Sequence, residues 1–188
     1  MEAIHMCDKL QMPRPIVEQC QYNMFVRDKM EKEYLALFDD YKFGTTVWSP
    51  LAGGVLTGKY NNGIPEGSRL HANDSLSGVY NTYFKDEKKL PKTLEAFKKL
   101  QEVCDNDLKC TLAQLALAWN MSYGPCTVSL VGASSIDQLK ENFVALDVRS
   151  RMTSEVLSKV ETILAELGTR PATDIDFRKW LPKPPRRS

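Results

Sequence analysis

The chain has 188 residues, of which 43% are apolar and 26% charged, a globular composition long enough to bury a core and outside the range of disordered chains. A formal net charge of +1 gives no global field that would recruit nucleic acid or an anionic membrane, so any anion site must be local. No apolar run approaches the roughly 20 residues of a membrane span, and Met1-Glu2-Ala3-Ile4-His5 lacks the basic and apolar parts of a secretory signal, so the expected setting is cytoplasmic.

Ile4, Cys7 and Leu10 recur at helical spacing with no cap before them, as in the tail of a longer helix. Pro13 and Pro15 stop that pattern, and Ile16 to Cys20 reads as a short buried strand running into the polar Gln21-Tyr22-Asn23. A helix follows from Asp28, with Met30, Tyr34, Leu37, Phe38 and Tyr41 on one face, and Phe43-Gly44 ends it. Thr45 to Ser49 is β-branched and aromatic, a second strand. Asn61 to Arg69 is dense in turn formers and opens an irregular excursion lasting to Leu90-Pro91, in which Val79, Tyr80, Tyr83 and Phe84 could form a short helix.

Leu94, Phe97, Leu100 and Val103 then place an amphipathic helix over 92–104. Thr111 followed by Gln114 has capping-box form ahead of Leu112, Leu115, Ala116 and Trp119. Thr127 to Val131 is the third strand, and Gly132-Ala133-Ser134-Ser135 leads into a helix carrying Ile136, Leu139, Phe143 and Leu146, with Ser135 and Gln138 as a second capping box. The last helix takes Thr153 as its cap, with Val156, Val160, Ile163 and Leu167 on one face and Gly168 at its end. Residues 169–188 are rich in proline and arginine and read as a loosely packed tail with Trp180 as its one anchor. Alternating strands and helices imply parallel strands covered by helices, but three strands cannot close a barrel.

Two loops could hold an anion. Trp48-Ser49-Pro50-Leu51-Ala52-Gly53-Gly54 leaves a strand and reaches Gly58-Lys59, and Gly132 to Ser135 joins a strand to a helix N-terminus, where backbone amides and the helix dipole favour negative charge. Gly53-x-x-x-x-Gly58-Lys59 also matches a P-loop, but Tyr60 stands where that motif requires a magnesium-binding Ser or Thr, and Asn61 to Pro65 breaks the helix that should begin at the lysine. Spacing alone equally allows glycines that only turn the chain and a solvated Lys59. His5 and His71 are the only histidines, without His-x-x-x-His spacing, so a metal site is not expected. Five cysteines without Cys-x-x-Cys spacing read as thiols, mostly buried.

Glu18-Gln19-Cys20-Gln21-Tyr22-Asn23-Met24-Phe25, Trp48 to Gly53 with Gly58-Lys59-Tyr60, Gly63-Ile64-Pro65 with Ser68-Arg69, Cys110 to Trp119, and Val131-Gly132-Ala133-Ser134 with Gln138-Leu139 and Glu141-Asn142 together resemble the aldo-keto reductases, and within them the β subunits of voltage-gated potassium channels. The resemblance runs from the first residues to about Leu167. It implies an α/β fold, part of a (β/α)8 TIM barrel in which the three strands are the sixth to eighth and residues 1–168 form the C-terminal, NADPH-binding part. It further implies that Gln19 binds the nicotinamide carboxamide, that Trp48 stacks on the nicotinamide, and that Ser49, Pro50, Leu51, Ala52 and Gly53 with Lys59 hold the pyrophosphate. Gly132 belongs to the second loop; Ser134, Gln138 and Arg69 would take the 2'-phosphate and ribose, and Glu141 and Asn142 the adenine.

The family's catalytic Asp, Tyr, Lys and His have no counterpart among these segments, and no matching motif puts Tyr22, Tyr60 or His71 in their place. No catalytic residue is therefore expected here. By resemblance, the readings are a portion of an NADP-dependent reductase acting on a carbonyl substrate, a channel-associated regulatory subunit binding NADPH with little turnover, or an inactive fragment. Open strand edges would make the chain prone to association or to homo-oligomers, or dependent on a complementing half.

Overall fold

The computed structural model describes residues 2–68 and 78–169. Arg69, His71 and the tail from residue 170 lie outside the described residues. The chain runs from α1 (Glu2–Lys9) to β1 (Val17–Glu18), a wide π turn (Lys29–Glu33), α2 (Leu35–Tyr41) and β2 (Gly44–Val47). Two tight turns over Ala52–Thr57 follow, then α3 (Gly78–Tyr83), α4 (Leu90–Val103), a second π turn (Cys104–Leu108) and α5 (Leu112–Ser122). β3 (Val128–Ser129), α6 (Ile136–Phe143), α7 (Ala145–Arg151) and α8 (Ser154–Glu166) complete it.

The three strands form one parallel sheet in the order β1-β2-β3, with Val17 and Glu18 paired to Gly44 and Thr45, and Thr46 and Val47 paired to Val128 and Ser129. A bridge between Gln21 and Trp48 and the bond from Leu130 N–H to Val47 O at 2.8 Å carry the same register past the strand ends. Side chains alternate across a strand, so this register sorts them into two faces. Cys20, Thr45 and Val47 share the face packed under helices and are buried. Val17, Gln19, Trp48, Val128 and Leu130 share the other, which is exposed. Parallel sheets normally bury both faces; among the described residues helices cover one side only, as in a segment of barrel wall.

The core lies between the helices and the covered face. Phe97, Leu100, Leu115, Trp119, Tyr22, Val160 and Leu164 are buried within it, and α4 packs on α8 and α5 on α7. Fully burying a Leu- or Phe-sized side chain contributes about 1.5–3 kcal/mol, and that layer is what holds the sheet flat against the helices.

The sequence reading is corrected at several elements. Strands expected at five residues are two to four long, the pairing beyond their ends being carried by isolated bonds such as Trp48 N–H to Cys20 O. The helix expected from Asp28 is broken by the π turn, which lets the adjacent Met30 and Glu31 both face inward. α4 starts two residues before its expected start, with Pro91 in its first turn, where proline's missing N–H costs no hydrogen bond. The helix over Ile136 to Leu146 is two helices divided at Val144. Its apolar residues Ile136, Leu139 and Phe143 are not core, since no residue of α6 is buried; Ile136 is 73% exposed. Of the cysteines, only Cys20 and Cys104 are buried, the other three being half-buried thiols.

Candidate functional site

In a parallel sheet all strands end on the same side, so the segments after β1, β2 and β3 gather along one edge. That edge collects Gln19, Trp48 to Gly53, and Gly132 to Ser134. Trp48 is 44% exposed, its indole on the open face beside Leu130 and Gln21, although its backbone is held: Trp48 N–H donates to Cys20 O at 3.0 Å and Tyr22 N–H to Trp48 O at 3.4 Å. A large flat ring fixed at its base and open on its face is a stacking platform.

The loop after Trp48 is wound tightly. Ser49 and Ala52 take φ of 56° and 50°, unusual for residues with a Cβ, and Gly53 and Gly54 take 68° and 97°. Ser49 carries the turn, its carbonyl accepting from Ala52 N–H at 2.9 Å and its Oγ from Gly53 N–H at 3.2 Å. At Gly54 the φ of 97° would strain any side chain, and a Cβ there would also push aside Lys59, whose Cε would lie 3.0 Å away. Lys59 folds back so that its ammonium sits 4.9 Å from the Tyr60 ring centroid, close to the loop backbone. Residues 59–62 turn rather than begin a helix, which removes the P-loop geometry.

Asn23, which spacing did not single out, anchors this loop. It is fully buried; its Nδ2 donates to Ser49 O at 2.9 Å, and its Oδ1 accepts from Phe25 and Val26 N–H, each at 3.0 Å. The legible signal was only an Asn after a strand, the position for an Asx turn.

The second loop departs from a full capping box. Ser135 Oγ accepts from Gln138 N–H at 3.2 Å as expected, but Gln138 Oε1 reaches one residue further back, to Ser134 N–H and Oγ–H, both at 2.9 Å. Ser134 and Gln138 are thus tied together, the amide carbonyl is satisfied, and the Gln138 NH2 remains as a donor at the mouth of α6. Glu141 and Asn142 lie in the last turn of α6, where Gln114 Nε2 donates to Glu141 O at 3.1 Å and fixes α6 against α5. Thr111 and Gln114 form the complete reciprocal box.

The tyrosines near the edge are closed off. Tyr22 and Tyr60 are fully buried; Tyr22 Oη donates to Glu31 at 2.6 Å, and burial holds its pKa well above the ordinary phenol range. Neither can meet a substrate.

Residues 1–165 match the model of the Aldo/keto reductase family. A "Probable voltage-gated potassium channel subunit beta" of Arabidopsis thaliana is 41% identical over 171 residues, which cover 90% of this chain and 50% of the relative. A relative of the same name from Oryza sativa subsp. japonica is 40% identical over 164 residues, 87% of this chain and 48% of the relative. A relative from Schizosaccharomyces pombe, under a similarly qualified name, is 39% identical over 163 residues, 86% and 46% respectively. The chain spans about half the length of the curated relatives it matches.

Proposed function

We propose that this chain, which belongs to the aldo/keto reductase family, is the NADPH-binding portion of an oxidoreductase that reduces carbonyl compounds. In this reading β1 to β3 are the sixth to eighth strands of a (β/α)8 barrel, and the open face is turned toward the barrel interior. The observation that carries it is the convergence of Gln19, Trp48 to Gly53 and Gly132 to Ser134 on one sheet edge, with the Trp48 ring open and the chain around it fixed.

The residues present fit such a cofactor. Trp48 would stack on the nicotinamide and Gln19 would bind its carboxamide. The wound Ser49 to Gly53 backbone, with Pro50, Leu51 and Ala52 shaping it and Lys59 beside it, would hold the pyrophosphate. Gly132, Ser134 and the Gln138 NH2, together with Arg69, would take the 2'-phosphate and ribose, and Glu141 and Asn142 the adenine. Bound there, NADPH would supply hydride to a substrate carbonyl. The proton would come from a residue outside this set, because Tyr22 and Tyr60 are closed to substrate. Calorimetric titration of the chain with NADPH and NADH tests the reading. NADPH should bind at least about tenfold more tightly, roughly 1.4 kcal/mol, and Trp48→Ala should cost a similar factor without lowering the unfolding temperature. Equal affinities, or a Trp48→Ala chain that binds as before, would overturn it.

The relatives' names favour a second reading, a channel-associated subunit that binds NADPH with little turnover. Co-purification with a potassium channel, together with single-turnover oxidation far slower than release, distinguishes it from a metabolic reductase. Among the described residues no helix is long and apolar enough to cross a membrane.

A further inference from the structure

Cys104 and Cys110 flank the π turn that joins α4 to α5. Cys104 is fully buried; Cys110 is half-buried and follows Lys109, whose φ of 49° reverses the chain. The turn closes on itself, Cys110 N–H donating to Cys104 O at 3.2 Å. A direct main-chain bond of this kind holds two residues within the Cα separation that a disulfide spans, roughly 4.4–6.8 Å. Cys110 also immediately precedes Thr111, the N-cap of α5, and Arg151 reaches the same turn, its Nη1 donating to Leu108 O at 2.6 Å.

We propose that Cys104 and Cys110 are an oxidisable dithiol, in which the half-buried Cys110 meets a hydroperoxide and the buried Cys104 resolves it to a disulfide. The two thiols bias each other: the neighbouring Cys104 thiol holds Cys110 below the ordinary thiol range against its burial, with Arg151 adding to the effect, while Cys110 and burial push Cys104 up. A cationic neighbour and a helix N-terminus are the surroundings in which thiolates react. Cys20 and Cys126 differ, since burial pushes both up, and they donate to Met30 Sδ at 3.4 Å and Asn120 Oδ1 at 3.3 Å.

In the first step the Cys110 thiolate attacks one peroxide oxygen, the O–O bond breaks, the departing oxygen leaves as water after protonation, and Cys110 becomes a sulfenic acid. Cys104 then attacks that sulfur: the S–S bond forms, the S–O bond breaks, and the hydroxide leaves with the Cys104 proton as a second water. Two thiols and one hydrogen peroxide give one disulfide and two waters, the sulfurs supplying both electrons.

The reduced chain, treated with one equivalent of hydrogen peroxide, alkylated and mapped by peptide mass, should yield a Cys104–Cys110 linked peptide while Cys7, Cys20 and Cys126 are alkylated. Cys104→Ala should leave Cys110 as a sulfenic acid that dimedone captures. In the unmutated chain, Cys110 should react with iodoacetamide at least about tenfold faster than Cys20 or Cys126. Oxidation falling first on another cysteine, Cys110 linked to any partner but Cys104, or Cys110 alkylated no faster than the buried thiols would each overturn the proposal. The mapping on the unmutated chain decides this even if a variant fails to fold.

Discussion

Asn23 shows how much of a binding edge depends on residues that bind nothing. Its amide bonds Ser49 O on one side and two N–H groups on the other, fully buried. Asn23→Ala removes three buried bonds at once and takes from Phe25 N–H its acceptor, while Ser49 O keeps Ala52 N–H and Val26 N–H keeps Asn23 O, so it should lower stability by about 1–3 kcal/mol. It should also loosen the Ser49 to Gly54 turns; denaturant unfolding reads the first effect and hydrogen exchange at 49–54 the second. At this scale the sequence is most informative where a residue type needs no distant partner. Trp48, Gly53 and Gly54 stand out because a strand that ends in an aromatic and glycines is a local pattern. Asn23 stayed hidden because the carbonyl it holds is 26 residues away.

Among elements, caps were legible and irregular turns were not. The Thr111 to Gln114 box formed as read because both its bonds are local, whereas the box at Ser135 formed only half, Gln138 turning to Ser134 instead. The two π turns have no spacing signature, and the first answers a packing demand. At the first, Glu31 is drawn inward to a buried cluster: Arg27 bonds Glu31 and Glu161, Tyr22 donates to Glu31, and Trp119 Nε1 donates to Glu161 at 2.8 Å. Burial disfavours the Arg27 charge, but the two carboxylates more than offset this and hold its pKa above the ordinary value; burial also raises Glu31, against the pull of Arg27. The cluster ties the segment after β1 to α5 and α8. Arg27→Met leaves Glu31 buried without its ion pair and should cost about 3–5 kcal/mol in urea unfolding. Arg27 and Glu31 at i, i+4 were a readable pair, but Glu161 lies 134 residues on and was not.

At the scale of the molecule, the alternation of strands and helices predicted a parallel sheet with helices against it; the three strands are parallel and pair in chain order, an order that alternation leaves open. What periodicity could not reveal is which apolar faces find cover. α6 has a helical apolar stripe that remains exposed, and the β3 face stays open, because burial depends on what stands opposite and not on the stripe itself. The covered side has its own pH signature. Burial pushes Cys126 up to about 12 from an ordinary 9.0, and it raises Cys20 and Tyr22 as well. These groups stay protonated when folded and lose protons more easily when unfolded. Their contribution is therefore complete below pH about 9 and is lost as pH rises toward the folded values, so the midpoint in urea should fall steadily from pH about 9 upward.

Hydrogen exchange of the chain with and without saturating NADPH tests most directly whether the three strand ends form one dinucleotide site. The account predicts slowed exchange confined to the segment around Gln19, residues 48–59, Arg69 and residues 132–142, with the 104–110 turn and α8 unchanged. Protection elsewhere, or none at either loop despite measured binding, would contradict it.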